Sequence, residues 1–262
     1  MKRALNLMIV AAFSAALCLT ACNHENGDNN GGDTPEYPTT PIVIQNAVQD
    51  IDGNQYNAVR MGEQVWMTEN LRTTRYADGT EIPLGTSASS TIAYRYVPDD
   101  NPSNVNAYGY LYNWTATMGN SSSNSINSAP VQGICPDGWH VPSDAEWTQM
   151  TNYVGGNSQY VCNEINGNIA KALASTTGWS VSSNSCAVGN DQSSNNASGF
   201  SALPAGGYYG NHSYFSYRAY FWTADKFNDC NAYSRRLDYN YADIDRNNYD
   251  KSDGLSVRCV QD

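Results

Sequence analysis

The chain has 262 residues, of which 40% are hydrophobic and 11% aromatic, with 19 tyrosines and a formal charge of −11. That length suits one sizeable core. So acidic a surface repels phosphate backbones and anionic headgroups, which excludes nucleic acid as a partner and electrostatics as a means of membrane attachment.

At the N-terminus, Lys2 and Arg3 precede the uncharged apolar run "ALNLMIVAAFSAALCL", which "LTAC" at 19–22 closes. A basic start, an apolar stretch and small residues before a cut describe a secretory signal. The run is shorter than the roughly 20 residues a membrane span needs. "LTAC" resembles a bacterial lipoprotein box, which implies a signal peptide over 1–21 and a lipid on Cys22. Losing Lys2 and Arg3 leaves 14 less 2, or 12, basic side chains against 25 acidic ones, a charge of −13. Residues 22–47 are expected to form a flexible tether, because "NHENGDNNGGDTPEYPTTP" has too little apolar surface to offset the entropy of ordering. Glu25, Asp28 and Asp33 close behind Cys22 resemble an export signal to the outer face in Bacteroidetes. The expected location is therefore the outer membrane, lipid-anchored at the cell surface, with the membrane reached through the lipid.

Residues 48–262 read as one domain. "QYNAVRMGEQVWMTENL" gives two extended segments around Gly62-Glu63, with apolar residues at period two. "YGYLYNWTATMG" predicts a short helix carrying Leu111, Trp114, Ala116 and Met118 and ended by Gly119. In "GICPDGWHVPSDAEW", Pro136-Asp137-Gly138 makes a turn, Trp139 and Val141 share one side of a short strand, and Ser143 caps a helix. Glu146 completes a capping box, Trp147, Met150 and Val154 form the buried stripe, and Gly155-Gly156 ends the helix. Cys135 and His140 in this stretch invite a catalytic reading, but an exported cysteine is usually oxidised, and the stretch reads as scaffold. The C-terminal half, with "FSALPAGGYYG", "YFWTAD", "NAYSRRLDY" and "GLSVRCVQD", reads as short strands between turns. The fold class expected is α+β, with short antiparallel strands, two or three short helices and much irregular loop.

"DIDGNQYNAVRMGEQVWMTENLRTTRYADGTEI", "AYGYLYNW", "GICPDGWHVPSDAEW", "GFSALPAGGY", "FWTAD" and "GLSVRCV" occur in this order. Together they resemble the Fibrobacter succinogenes major paralogous domain of bacterial surface lipoproteins. That family is in turn similar to C-type-lectin-like and formylglycine-generating-enzyme domains. The resemblance implies a C-type-lectin-like fold and a surface address, not a reaction. It also implies a Cys135–Cys259 disulfide, because the lectin-like fold brings N- and C-terminal strands together. Closing so long a loop contributes about 4 to 5 kcal/mol. Cys162 and Cys186 bracket a shorter insertion and are candidates for a second pair, which leaves Cys230 free.

No enzyme is expected. The closely spaced cysteines of formylglycine-generating enzymes, the His-x-x-x-His-x-Glu run of sulfoxide synthases, a serine elbow, a P-loop and zinc spacing are all absent from the sequence. No cofactor is expected beyond a candidate calcium loop, "DIDRNNYDKSDG". There Asp243, Asp245 and Asn247 take positions 1, 3 and 5, but Asn248 and Gly254 depart from the pattern and Arg246 and Lys251 oppose a cation. A solvated turn is the competing account. Tyr208, Tyr209, Tyr214, Tyr217 and Trp222 are the ligand-binding candidates, since Tyr and Trp stack on sugars and anchor protein contacts; packing between strands is the alternative. The function expected is a surface module recognising glycan or a surface protein, and the alternative is a structural subunit of a surface appendage.

Overall fold

A computed structural model of the chain describes residues 40–119, 121 and 130–262. The signal peptide, Cys22 and the tether up to residue 39 lie outside the described residues. Among those described, no helix is long and apolar enough to cross a membrane.

Strands β1 (Val43–Gln49), β2 (Gln55–Met61) and β3 (Gln64–Met67) run antiparallel, β2 and β3 joined by the two-residue turn Gly62-Glu63. Gly62 sits at φ 63°, a conformation that costs glycine least. One short pair follows in the chain's middle, β4 (Arg95–Tyr96) with β5 (Leu111–Tyr112), flanking helix α1 (Val105–Tyr108). Leu111, expected in a helix, instead enters β5, and helix α2 (Trp114–Met118) starts only after Asn113, whose side chain accepts from the Ala116 N–H. Gly119 ends α2 as expected.

Strand β6 (Trp139–His140) precedes helix α3 (Asp144–Gly155), with the Ser143–Glu146 capping box formed and Trp147, Met150 and Val154 buried. A single helical turn, α4 (Ala170–Leu173), leads to β7 (Gly207–Tyr208) and β8 (His212–Ser213), then to the three-stranded sheet of β9 (Arg218–Lys226), β10 (Asn231–Asp238) and β11 (Ile244–Asp250). The last strand, β12 (Val260–Gln261), inserts between β3 and β6, giving the order β1-β2-β3-β12-β6. The architecture is α+β: small antiparallel sheets, few helices and much loop.

Period-two alternation puts the five-stranded sheet and β9 between two apolar clusters. Tyr56, Ala58, Val65 and Met67 face one cluster together with Tyr220 and Trp222 of β9. Val59, Met61 and Trp66 face the other, with Phe221 and the α3 stripe. Trp66 and Trp147 meet at 4.7 Å between ring centroids there. The disulfide Cys135–Cys259 links residues 124 apart and fastens the stretch before β6 to the chain's last strand; Cys162–Cys186 links residues 24 apart. Cys230 is free and exposed.

The tether expected over 22–47 is shorter than the composition of its polar part suggests. Residues 43–47 belong to β1, where Ile44, Ala47 and Val48 pack against the core. From Val43 the sequence turns to alternating β-formers, which gain a paired edge on β2 and a side packed against the core.

Candidate functional site

Strand register assembles the candidate site. Arg218, Tyr220 and Trp222 of β9 point to one side, opposite Asp238, Arg236 and Ser234 of β10; Asp245, Asn247 and Tyr249 of β11 continue that face. Its inner end, at Trp222, is core. At its outer end Arg218 Nε lies 2.6 Å from Asp238 Oδ2, and Arg236 pairs with Asp245. Burial alone would weaken the Arg218 cation, but Tyr220 and Asp238 hold its pKa above the usual arginine value. The two arginines and two aspartates cancel, so the charged part of the face is neutral.

Over this face lies the 208–217 loop. Tyr209 sits between Tyr214, Tyr220 and Tyr249, with centroids 6.2, 6.0 and 5.9 Å away. Burial, then the neighbouring Tyr220, pushes the Tyr209 phenol far above its ordinary value; the same two causes lift Tyr249 to about 12. Both therefore stay protonated and retain a hydroxyl donor at any physiological pH. The Arg218 guanidinium lies 4.1 Å from the ring centroid of Tyr214.

Tyr214 is held at φ 64° and Ser216 at φ 67°, the left-handed region that a bulky side chain occupies at a cost of about 1–3 kcal/mol. Backbone hydrogen bonds from the N–H groups of Tyr217 and Arg218 to the Tyr214 carbonyl, each 3.0 Å, maintain this turn. Tyr214 is left 47% exposed, and Tyr217, three residues on, is 46% exposed. Tyr217 meets Tyr239 edge to face at 5.1 Å. The 180–189 loop closes this side: Ser180 N–H donates to the Ser216 carbonyl at 2.7 Å, and Gly189 N–H to the Tyr239 carbonyl at 2.7 Å. Its Cys186 is tied to Cys162.

The candidates named from the sequence therefore divide. Tyr209 and Tyr214 come together at the surface or just beneath it, whereas Tyr217, also exposed, alternates with Arg218 to the other side of the sheet and meets Tyr239 there. Trp222 is not a binding residue: its ring is fully buried and its indole N–H donates to the Tyr112 carbonyl at 2.8 Å. Tyr208 is likewise buried, stacked on Tyr96 at 3.9 Å. Trp222 shares its face with Arg218 and Tyr220 but lies in the middle of β9, where both faces of the strand are covered.

The calcium loop does not form, because Asp245 and Asn247 lie on β11 and Asp243 just before it. Residues two apart on a strand are about 7 Å apart, whereas calcium ligands converge to about 2.4 Å from one ion. Asp245 is also engaged by Arg236. Among the described residues no three His, Cys, Asp or Glu side chains are placed to hold a metal.

Sequence reasoning overlooked Arg218, Arg236 and Asp238. The i, i+2 spacing of Arg236 and Asp238 in "SRRLD", and of Arg218 and Tyr220 in "RAYF", carried the signal, but pairing them requires the register of β9 and β10.

The stretch around Cys135 and His140 is occupied by structure. Cys135 is bonded to Cys259, and His140 is buried with Nε2 2.7 Å from Glu146 Oε1 and Nδ1 2.7 Å from Asp262 Oδ1. Fold and site together define an α+β domain, stapled by two disulfides, that displays a tyrosine-rich face whose charges are paired internally.

The sequence pattern of the Fibrobacter succinogenes major domain matches residues 59–261, and the chain belongs to that family. No curated protein and no solved structure matches it.

Proposed function

We propose that this is a non-catalytic recognition domain, anchored through a lipid on Cys22 to the outer membrane and exposed at the cell surface, that binds glycan through Tyr214 and the neighbouring face of β9–β11, with the exposed Tyr217 at the edge of the same turn. The observation that carries this proposal is the presentation of Tyr214: a strained backbone, a cation stacked behind the ring, and nearly half of the residue exposed. Strain of this kind persists where the surroundings enforce it, and it concentrates at functional sites. Tyrosine supplies a flat apolar face with a polar edge, the combination that sugar rings require. A C-type-lectin-like reading of the fold is supported by the terminal strand β12 pairing beside β6 and by the Cys135–Cys259 staple.

Binding of the full chain, held in detergent, to a glycan and polysaccharide array tests the proposal. Specific binding lost in Tyr214→Ala and weakened in Tyr217→Ala is the expected result. Uniform absence of binding by folded protein would overturn it and turn attention to protein partners.

A further inference from the structure

Strand β11 ends its sheet: the order is β11-β10-β9, and among the described residues β11 pairs with β10 alone. The far side of β9 is covered by Ser256, whose N–H donates to the Tyr220 carbonyl and whose carbonyl accepts from Trp222. The outer edge of the other sheet, β1, is broken by a register shift between Ile44 and Val48 and by Asn46 at φ 49°. Such a bulge discourages the addition of another strand. β11 has no such break, since Ile244 to Asp250 face β10 in one uninterrupted register and include no proline.

The parity of the ladder shows which main-chain groups are left over. Lys251 N–H donates to the Cys230 carbonyl at 2.9 Å, and bonded pairs alternate along antiparallel strands. Tyr249, Asn247 and Asp245 therefore spend their N–H and C=O groups on β10, while Asp250, Asn248 and Arg246 direct theirs outward. All three of the latter are exposed. A row of unpaired groups on a flat edge is a template for a further strand.

The charges select that strand. A two-fold axis at Asn248 sets Arg246 opposite Asp250 of a second copy and Asp245 opposite Lys251, each pair occurring twice by symmetry. An axis at Asn247 would put Arg246 against Asn248 and match no opposite charges. An axis at Arg246 would put arginine against arginine. Opposite charges facing each other across strands stabilise the pairing, and like charges oppose it. Asp250 is available for this role: it accepts the Ser252 N–H at 2.9 Å and enters no ion pair among the described residues.

We infer that two copies of this chain associate edge to edge through β11, antiparallel about Asn248, into one continuous sheet. Residues opposite one another share a face, so the tyrosine faces of both copies turn to the same side, where one polysaccharide reaches both. That consequence rests on the glycan reading; the pairing itself does not.

Sedimentation of the full chain in detergent tests the association, and a dimer is expected. Asp250→Arg, which sets arginine against arginine, is expected to weaken it about tenfold, and Arg246→Asp combined with Asp250→Arg to restore it. Asn248→Cys, made together with Cys230→Ser to remove the free thiol, is expected to form a disulfide between copies on mild oxidation. Bonded antiparallel partners lie about 5.5 Å apart between Cα atoms, a separation that disulfides span. Asn247→Cys in the same background is expected to stay reduced. A monomer at every concentration, a dimer indifferent to Asp250→Arg, or preferential linkage through Asn247→Cys would overturn the inference. None of these readouts involves a sugar, so they succeed or fail apart from the glycan reading.

Discussion

His140 Nε2 lies 2.7 Å from Oε1 of Glu146, while the other oxygen of that glutamate accepts from the N–H and hydroxyl of Ser143. One carboxylate thus caps α3 and pairs with an imidazole buried in β6. The second ring nitrogen faces Asp262 at 2.7 Å. A carboxylate oxygen at each nitrogen favours the doubly protonated ring, so the imidazolium is held below its raised pKa.

Stability should follow that charge. Burial opposes the cation, but Glu146 and Asp262 outweigh it and raise the His140 pKa above 6.5; Glu146, despite burial, is lowered below 4.5 by His140 and Ser143. A raised imidazole contributes fully below its unfolded value and loses that contribution as pH rises through the folded one. A lowered carboxyl contributes above its unfolded value and loses it as pH falls through the folded one. The pair is therefore whole between about pH 4.5 and 6.5. His140→Ala is expected to cost about 2–4 kcal/mol at pH 6 and distinctly less at pH 9, read from urea midpoints. A deficit independent of pH would show that the neutral ring suffices.

The two disulfides should differ in weight. In the chain-entropy model, losing Cys135–Cys259 costs about 5 kcal/mol and losing Cys162–Cys186 about 3. Denaturant unfolding of the two double-alanine variants measures the order. The second variant should also weaken glycan binding, because Cys186 holds the loop that supports Ser216 and Tyr239.

Tyr214 and Trp222 lie eight positions apart and should respond in opposite ways. Trp222→Ala removes a fully buried side chain, and about 3–5 kcal/mol of stability with it. Tyr214→Gly relieves a left-handed φ of 64° and should leave the unfolding temperature equal or higher while abolishing glycan binding. A marked loss of stability in the glycine variant would mean that Tyr214 is a packing residue.

Removal of divalent cations should change nothing. Asp243, Asp245 and Asn247 are spread along a strand and its approach, and Asp245 already has Arg236, so a chelator is expected to leave both Tm and glycan binding unaltered. A fall in Tm on chelation, reversed by calcium, would require a site elsewhere in the chain.

Much of the framework was legible because it rests on local rules. The Gly62-Glu63 turn, the capping box at Ser143, the Trp147–Met150–Val154 stripe and the end of α2 at Gly119 each depend on residues within a few positions of one another. Short-range sterics and helix periodicity suffice there. "DIDRNNYD" was harder: its Asp and Asn spacing fits a loop, and only the hydrogen bonds offered by β10 make it a strand.

The sequence alone determined the α+β character and the helix and turn chemistry, since composition and periodicity act locally, and its ordered motifs carried the family. Tertiary structure decided which tyrosines are surface and which are core, and which aspartates have arginine partners. Those outcomes depend on strand register, and a shift of one residue would turn every side chain to the opposite face.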